Sequence, residues 1–262
     1  MSESNLKLAL IQSDIHWHEI NANLAMYEEK IWEINDNVDV IVLPEMFQTG
    51  FTMETSLAEP MNLTTFKWMR QMAAQKNTVV TGSYIVKVGK EVFNRLVWMQ
   101  PDGQFHTYDK AHLFRMSSEG QYFDEGKERL IVEWRGWKIC PMICYDLRFP
   151  VWARNSNLDY DLLLFTANWP AVRVSAWDAL LKGRAIENLS YSIGVNRVGK
   201  DGKEIAYNGH TSVFGPKGEE LAFSEKEEVI LVELNKEELD RYRQKFPAQL
   251  DADAFTMNDK KL

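Results

Sequence analysis

Three polar side chains stand where apolar, strand-like runs end: Glu45, Lys110 and Cys144. Cys144 closes the run I-C-P-M-I-C at 139–144 and is followed by Tyr145, Asp146, Leu147, Arg148, Phe149 and Pro150. Proline suits the first turn of a helix. The stretch therefore reads as strand, sharp turn and helix, the arrangement by which α/β hydrolases expose a nucleophile. The positive end of such a helix lowers the pKa of a thiol placed there. The other reading of Cys144 is a small buried hydrophobe, as free cysteines often are. A thiol nucleophile is mostly protonated at neutral pH. It needs a base, and a positive charge that favours the thiolate and holds an oxyanion. Glu45 could supply the first and Lys110 the second; taken singly, each also reads as a solvated residue after a strand.

The elements that must position these groups can be read from periodicity. Residues 6–12 (L-K-L-A-L-I-Q) read as a first strand, and Leu24, Tyr27, Ile31 and Ile34 recur at helical spacing. Residues 38–43 (V-D-V-I-V-L) form a near-continuous β-branched run, as in a strand buried on both faces. Glu45 comes at its carboxyl end, where open α/β sheets gather ligands. A second helix is expected over 63–76, with Phe66, Met69 and Ala73 on one face. This opening βαβα order predicts an α/β fold. Strands are expected over 78–86, 92–100 and 104–109, the last two joined by the turn Pro101-Asp102-Gly103. A hairpin is expected over 130–134 and 137–143, around Arg135-Gly136. After the Cys144 turn come a short helix, a buried strand over 161–166 and a long helix over 174–189. The stripe of that helix is Val174, Trp177, Leu181, Ala185, Ile186 and Leu189. Strands over 191–198, 204–214 and 229–234, a helix over 237–245 and a polar tail over 248–262 complete the chain. No repeat or linker interrupts it. The expectation is one domain over 1–262, two stacked sheets with helices outside.

The chain is 45% hydrophobic and 26% charged over 262 residues, an ordinary globular composition. Its net charge of -8 argues against an extended nucleic-acid surface and leaves room for a local cationic pocket. No apolar run approaches the ~20 residues of a membrane span. Residues 1–15 are acidic, and their apolar run is too short for a signal peptide. Cys140 and Cys144 stand roughly 13 Å apart if they share a strand, beyond the ~7 Å that a disulfide spans. Free thiols suit a reducing, cytoplasmic setting. Cys140, inside the strand, reads as core.

Other residues carry two readings each. His112 or His210 could pair with Cys144 in a Cys–His hydrolase. His16 and His18 form an H-x-H pair that could bind zinc, but no further close ligands accompany it, and a solvated role fits as well. Arg148 and Arg173 are candidates for a substrate carboxylate, because a guanidinium fork matches its geometry. Against this, Arg148 could pair with Asp146, and Arg173 could cap or flank the long helix. Phe114 and Trp169 read as pocket lining or as ordinary core.

L-P-E-M at 43–46, Y-D-K-A-H-L-F at 108–114 and C-Y-D-L-R-F-P at 144–150 resemble, in order, the three signature blocks of the nitrilase, or carbon–nitrogen hydrolase, superfamily. F-T-A-N-W-P at 165–170, R-A-I-E-N at 184–188 and V-N-R-V-G at 195–199 extend the resemblance over nearly the whole chain. The likeness is greatest to the omega-amidase branch. It implies an αββα sandwich of two mixed sheets, commonly paired into homodimers through the helical face beyond Cys144. It implies Glu45 as general base, Lys110 as catalytic lysine, Cys144 as nucleophile and Glu119, in E-G-Q-Y-F at 119–123, as a second glutamate. The implied reaction is hydrolysis of the terminal amide of small dicarboxylate monoamides such as 2-oxoglutaramate. It would run through a thioester on Cys144, with the oxyanion held by Lys110 and the backbone N–H of Tyr145, and without metal or organic cofactor. A nitrilase or another aliphatic amidase would use the same triad, and a catalytically silent binding protein could keep the fold. Val151 and Gly183 depart from the family pattern, where an acid and an alanine are usual.

Overall fold

The strand Asn5–Gln12 shows how the layers arise. Leu6, Leu8 and Leu10 face one side, Ala9 and Ile11 the other, and all five are fully buried. A strand alternates its side chains, so both faces of this sheet are covered. The structure, a computed structural model, describes residues 5–253 and 255.

The first sheet runs Glu228–Asn235, Asn5–Gln12, Val40–Val42, Val79–Val88, Glu91–Met99, Phe105–Asp109, with the short strand Glu59–Pro60 beside Val79–Val88. Its centre is parallel and its outer pairs are antiparallel. The second sheet runs Glu220–Ser224, Thr211–Phe214, Tyr191–Val195, Leu162–Thr166, Trp137–Ile143, Val132–Trp134, and repeats the scheme around a parallel centre. A separate two-stranded ribbon pairs Val198–Lys200 with Ala206–Asn208.

Leu6, Leu8, Val40 and Val42 meet Ile139, Leu162, Leu164 and Ile193 between the sheets. Helices Ile20–Glu33 and Thr64–Lys76 cover the outer face of the first sheet with Leu24, Tyr27, Phe66 and Met69. Helix Val174–Asn188 covers the second with Trp177, Leu181 and Ala185, packed against Leu163 and Phe165. The order helix, sheet, sheet, helix is the αββα sandwich expected.

Four expectations need correction. Ile186 is 45% exposed, because one residue past Ala185 turns it about 100° off the buried stripe. The strand expected over 191–198 leaves its sheet at Asn196, and the ribbon begins at Val198. The strand expected over 204–214 breaks at Gly209 and His210, both at positive φ. The strand Glu220–Ser224 was not anticipated; it is an edge strand of five residues, E-L-A-F-S, whose three apolar residues neither alternate nor run long enough to stand out. Of the tail expected over 248–262, Ala248–Asp251 forms a 3-10 turn, and 254 and 256–262 lie outside the described residues.

Helix and strand approach closely at Gly194. An added Cβ there would lie 2.4 Å from Trp177 Cζ2 and 2.5 Å from Leu181 Cδ1. Gly194→Ala should therefore cost ~1–3 kcal/mol of stability through overpacking, read as a lower denaturant midpoint. An unchanged midpoint would show that the helix yields freely.

Candidate active site

Glu45, Lys110, Cys144 and Asn168 all stand just after strands: Val40–Val42, Phe105–Asp109, Trp137–Ile143 and Leu162–Thr166. The strands of both sheets thus deliver them to one end of the sandwich. Glu45 is fully buried, Lys110 1% exposed and Cys144 8% exposed. Glu45 Oε1 accepts from Asn94 Nδ2 at 2.8 Å and Lys110 Nζ at 2.9 Å, and Oε2 accepts from the Asn168 backbone N–H at 2.9 Å. Asn168 Nδ2 also donates to the Glu45 carbonyl. Lys110 Nζ lies 3.0 Å from both oxygens of Glu119, itself fully buried. Glu119 in turn accepts from the Phe114 N–H at 2.5 Å.

This packing sets the charges. Burial opposes the ammonium of Lys110, yet Glu119 and Glu45 outweigh it and hold the group above its ordinary range. Glu119 is raised by burial and by Glu45, against the pull of Lys110. Cys144 is held well above the usual thiol value, first by burial and then by Glu45, with Lys110 acting the other way. This corrects the expectation of a thiol acidified by a helix. Cys144 opens the 3-10 turn Cys144–Arg148, which leads into the short helix Pro150–Ala153, with Pro150 in its first turn. So short a segment carries too little dipole to offset burial.

The elbow itself is strained and tied down. Cys144 has φ 44°, in the left-handed region that costs a non-glycine residue energy. Asp146, fully buried, accepts from the Ile143 N–H at 3.0 Å and from Tyr108 OH at 2.7 Å. It also accepts from the His112 N–H at 3.0 Å. Arg184 donates to the Leu147 carbonyl at 2.7 Å. The turn is thus tied to the strand that ends at Asp109, just before Lys110, and to the long helix. Tyr145 is the second residue of this turn, so its N–H is among the opening amides that have no intrahelical acceptor.

The histidines lie elsewhere. His112 Nδ1 is 2.7 Å from Asp146 Oδ1, and its ring stacks on Phe149 at 3.7 Å. His210 bonds Asp178 and Glu225, each at 3.0 Å. Neither faces the Cys144 cavity, so the Cys–His alternative is not what the fold assembles. His18 Nε2 lies 2.8 Å from Thr52 Oγ1. Among the described residues no group of three or more His, Cys, Asp or Glu is placed to hold a metal.

Above the thiol opens a cavity of about 670 Å³, counting its mouth, that brings Cys144, Lys110, Phe114, Tyr145, Arg148, Trp169 and Arg173 together. Arg148 lies 4.9 Å over the Trp169 ring and Arg173 5.1 Å over the Phe114 ring. Neither has an acid within 4 Å among the described residues. The pairing of Arg148 with Asp146 does not form, since both Asp146 oxygens are taken. Arg173 stands at the start of the long helix and makes no side-chain cap. Trp169 lines the cavity and also packs on Trp177 at 5.3 Å, so both readings of it hold. Asn94, Asn168 and Asp146 were missed as site residues. Asn168 stands in the N-W-P stretch, but nothing local ties it to Glu45, 123 positions away.

The carbon–nitrogen hydrolase family matches residues 7–244. The chain belongs to the carbon–nitrogen hydrolase family. It is 45% identical over 254 residues to omega-amidase YafV of Escherichia coli (strain K12), covering 96% of this chain and 98% of that one. It is 30% identical over 246 residues to 2-oxoglutaramate amidase of Bacillus subtilis (strain 168), covering 92% and 95%. Its fold superposes with TM-score 0.95 and 41% identity on a CN-hydrolase superfamily protein from Xanthomonas campestris with an arsenic adduct in its active site, covering 97% and 99%. This carbon–nitrogen hydrolase acts on bonds other than peptide bonds. Its departures from the family pattern are neutral for the site. Val151 is 52% exposed, and a Cβ on Gly183 would meet nothing within 4 Å. No helix among the described residues is long and apolar enough to cross a membrane.

Proposed function

We propose that this carbon–nitrogen hydrolase is an omega-amidase, releasing ammonia from the terminal amide of small dicarboxylate monoamides of the 2-oxoglutaramate and succinamate type. The observation that carries this reading is the polarity of the cavity. Its buried end is lined by the Cys144 thiol and the Lys110 ammonium, with the carboxylates of Glu45 and Glu119 buried behind them on that ammonium, and its outer wall holds two guanidiniums without acid partners. An amide fits the first and a distal carboxylate the second. The names of the Escherichia coli and Bacillus subtilis relatives point the same way.

Each group then has a step. The resting thiol is protonated, so Glu45 takes its proton as sulfur attacks the amide carbon. Lys110 and the Tyr145 N–H hold the oxyanion, each donor contributing ~3 kcal/mol. As the C–N bond breaks, Glu45 passes the proton to departing ammonia, leaving a thioester. Glu45 next takes a proton from water as that water attacks, and returns it to sulfur as the acid leaves. Glu119 holds Lys110 and the Phe114 amide in place. The steps call on no metal or organic cofactor. We place the enzyme in the cytoplasm, where buried free thiols persist, as a single-domain homodimer. Its dimer face would be the helical side, where Ile186 and Phe246 line one crevice.

The carboxylate pocket is tested with succinamate against butyramide, an amide of the same length without the acid. A charged hydrogen bond contributes ~1.5–3 kcal/mol, so wild type should favour succinamate in kcat/KM by about tenfold or more. Arg148→Ala or Arg173→Ala should erase that preference, and lysine should not fully restore it, lacking the planar fork. Equal hydrolysis of both amides by wild type would favour a broader amidase or nitrilase. Discrimination that survives both substitutions would assign the carboxylate to other residues.

A further inference from the structure

The ribbon of Val198–Lys200 and Ala206–Asn208 forms one wall of the cavity, to which its connecting loop contributes Lys203. That loop is set from within. Asp201 is 5% exposed. Its Oδ1 accepts from the N–H groups of Lys203 at 2.8 Å and Ile205 at 3.0 Å, and its Oδ2 from Tyr207 OH at 3.1 Å. The Tyr207 ring stacks 4.7 Å from the guanidinium of Arg197, which is fully buried and bonded to Asp14 at 2.8 Å. Gly202 lies against Trp17, where an added Cβ would come within 2.3 Å of the indole. The backbone that carries Lys203 is therefore fixed to the body of the protein on both sides.

The acids nearby are engaged. Asp201 holds two amides and a phenol, and Glu204 pairs with Lys200 at 2.9 Å. Lys203 has no carboxylate within 4 Å among the described residues. The outer wall thus presents three cations, Arg148, Arg173 and Lys203. A dicarboxylate monoamide brings one distal carboxylate, for which a guanidinium fork is the better match. An ammonium is a compact point charge with three donors, and the group left for it is the substituent next to the carboxylate. An oxo oxygen there accepts from an ammonium, a methylene offers it nothing, and a protonated amine is repelled by it.

We propose that Lys203 is a specificity-determining residue that binds a 2-oxo oxygen and rejects a 2-ammonium group. The proposal rests on the omega-amidase reading above and assigns its selectivity to one side chain on the ribbon. Three amides on the same four-carbon chain isolate the effect: 2-oxosuccinamate, succinamate and asparagine. Ammonia release is measured for wild type, Lys203→Met and Lys203→Glu. Lys203 is exposed, so both variants should fold, and a melting curve checks this.

Wild type should rank the oxo acid first and asparagine last. Lys203→Met should raise KM for 2-oxosuccinamate by about tenfold, the scale of a lost charged hydrogen bond. Succinamate should lose about twofold, with the change in KM rather than in kcat. Lys203→Glu should lower kcat/KM for 2-oxosuccinamate further and raise it for asparagine. Equal losses on 2-oxosuccinamate and succinamate would overturn the proposal and assign Lys203 to the carboxylate. Unchanged ratios among the three amides in both variants would overturn it by showing no contact. Failure of the omega-amidase reading looks different: wild type would then release ammonia from none of the three, or would treat butyramide as it treats succinamate.

Discussion

Cys144→Ala should abolish amide turnover while the protein stays folded. The sulfur is the nucleophile of the proposed scheme, and enzymes stripped of a covalent nucleophile lose on the order of 10⁴-fold or more. The backbone at φ 44° is already offset by the Asp146 and Arg184 contacts, none of which involves sulfur. Alanine can therefore occupy the elbow with little change in stability. Cys140→Ala is the control. Cys140 is fully buried on the strand Trp137–Ile143, among the side chains under the long helix. Losing its sulfur should leave a small void and cost roughly 1 kcal/mol of stability, with turnover kept within a few-fold. Ammonia release and denaturant midpoints read both effects. Ordinary activity in Cys144→Ala would end the covalent scheme.

Glu45→Gln and Lys110→Met should each lower the rate by at least ~10²-fold, the scale of a lost acid–base group or oxyanion donor. They should part company in the reactivity of the thiol. Burial is the largest cause of the raised Cys144 pKa, Glu45 adds to it, and Lys110 opposes it. Glu45→Gln should therefore lower the thiol pKa and speed alkylation by iodoacetamide at mildly alkaline pH, although turnover is lost. Lys110→Met should raise the thiol pKa and slow the same labelling. Lys110→Met also leaves two buried carboxylates without their cation, a loss of about 3–5 kcal/mol of stability. That deficit should shrink as pH falls. Glu119 is already raised by burial, and losing Lys110 removes the charge that opposes that rise, so it binds its proton more tightly folded than unfolded and stability is lost as pH rises. His112→Ala and His210→Ala should slow the chemical step far less. A dead histidine variant beside an active Glu45→Gln would restore the Cys–His scheme and remove this one.

Much of this site is legible in the chain itself. The runs before Glu45, Lys110 and Cys144 announce strands because side-chain alternation and β-branched content are local properties. The hairpin around Arg135-Gly136, with Trp134 opposite Trp137, and the helix Val174–Asn188 are legible for the same reason. The signature blocks, local too, tied those three residues and Glu119 to one chemistry. The order of residues along the chain could not carry which groups meet through space. Glu45 is held by Asn94 and Asn168, 49 and 123 positions away. The Arg148 guanidinium is left without an acid because Asp146 is filled by Tyr108, His112 and the Ile143 amide. The direction of the Cys144 pKa came out opposite to the local reading, since a turn's dipole is visible in a stretch of residues while burial and a neighbouring carboxylate are not. The sequence by itself determined which three polar groups end the strands, the family they belong to and the layers that carry them. Tertiary packing decided the protonation of Cys144 and Lys110, the cations free to meet substrate, and the ribbon that sets Lys203 at the cavity, because desolvation and Coulomb forces sum over atoms that only folding brings within a few ångströms.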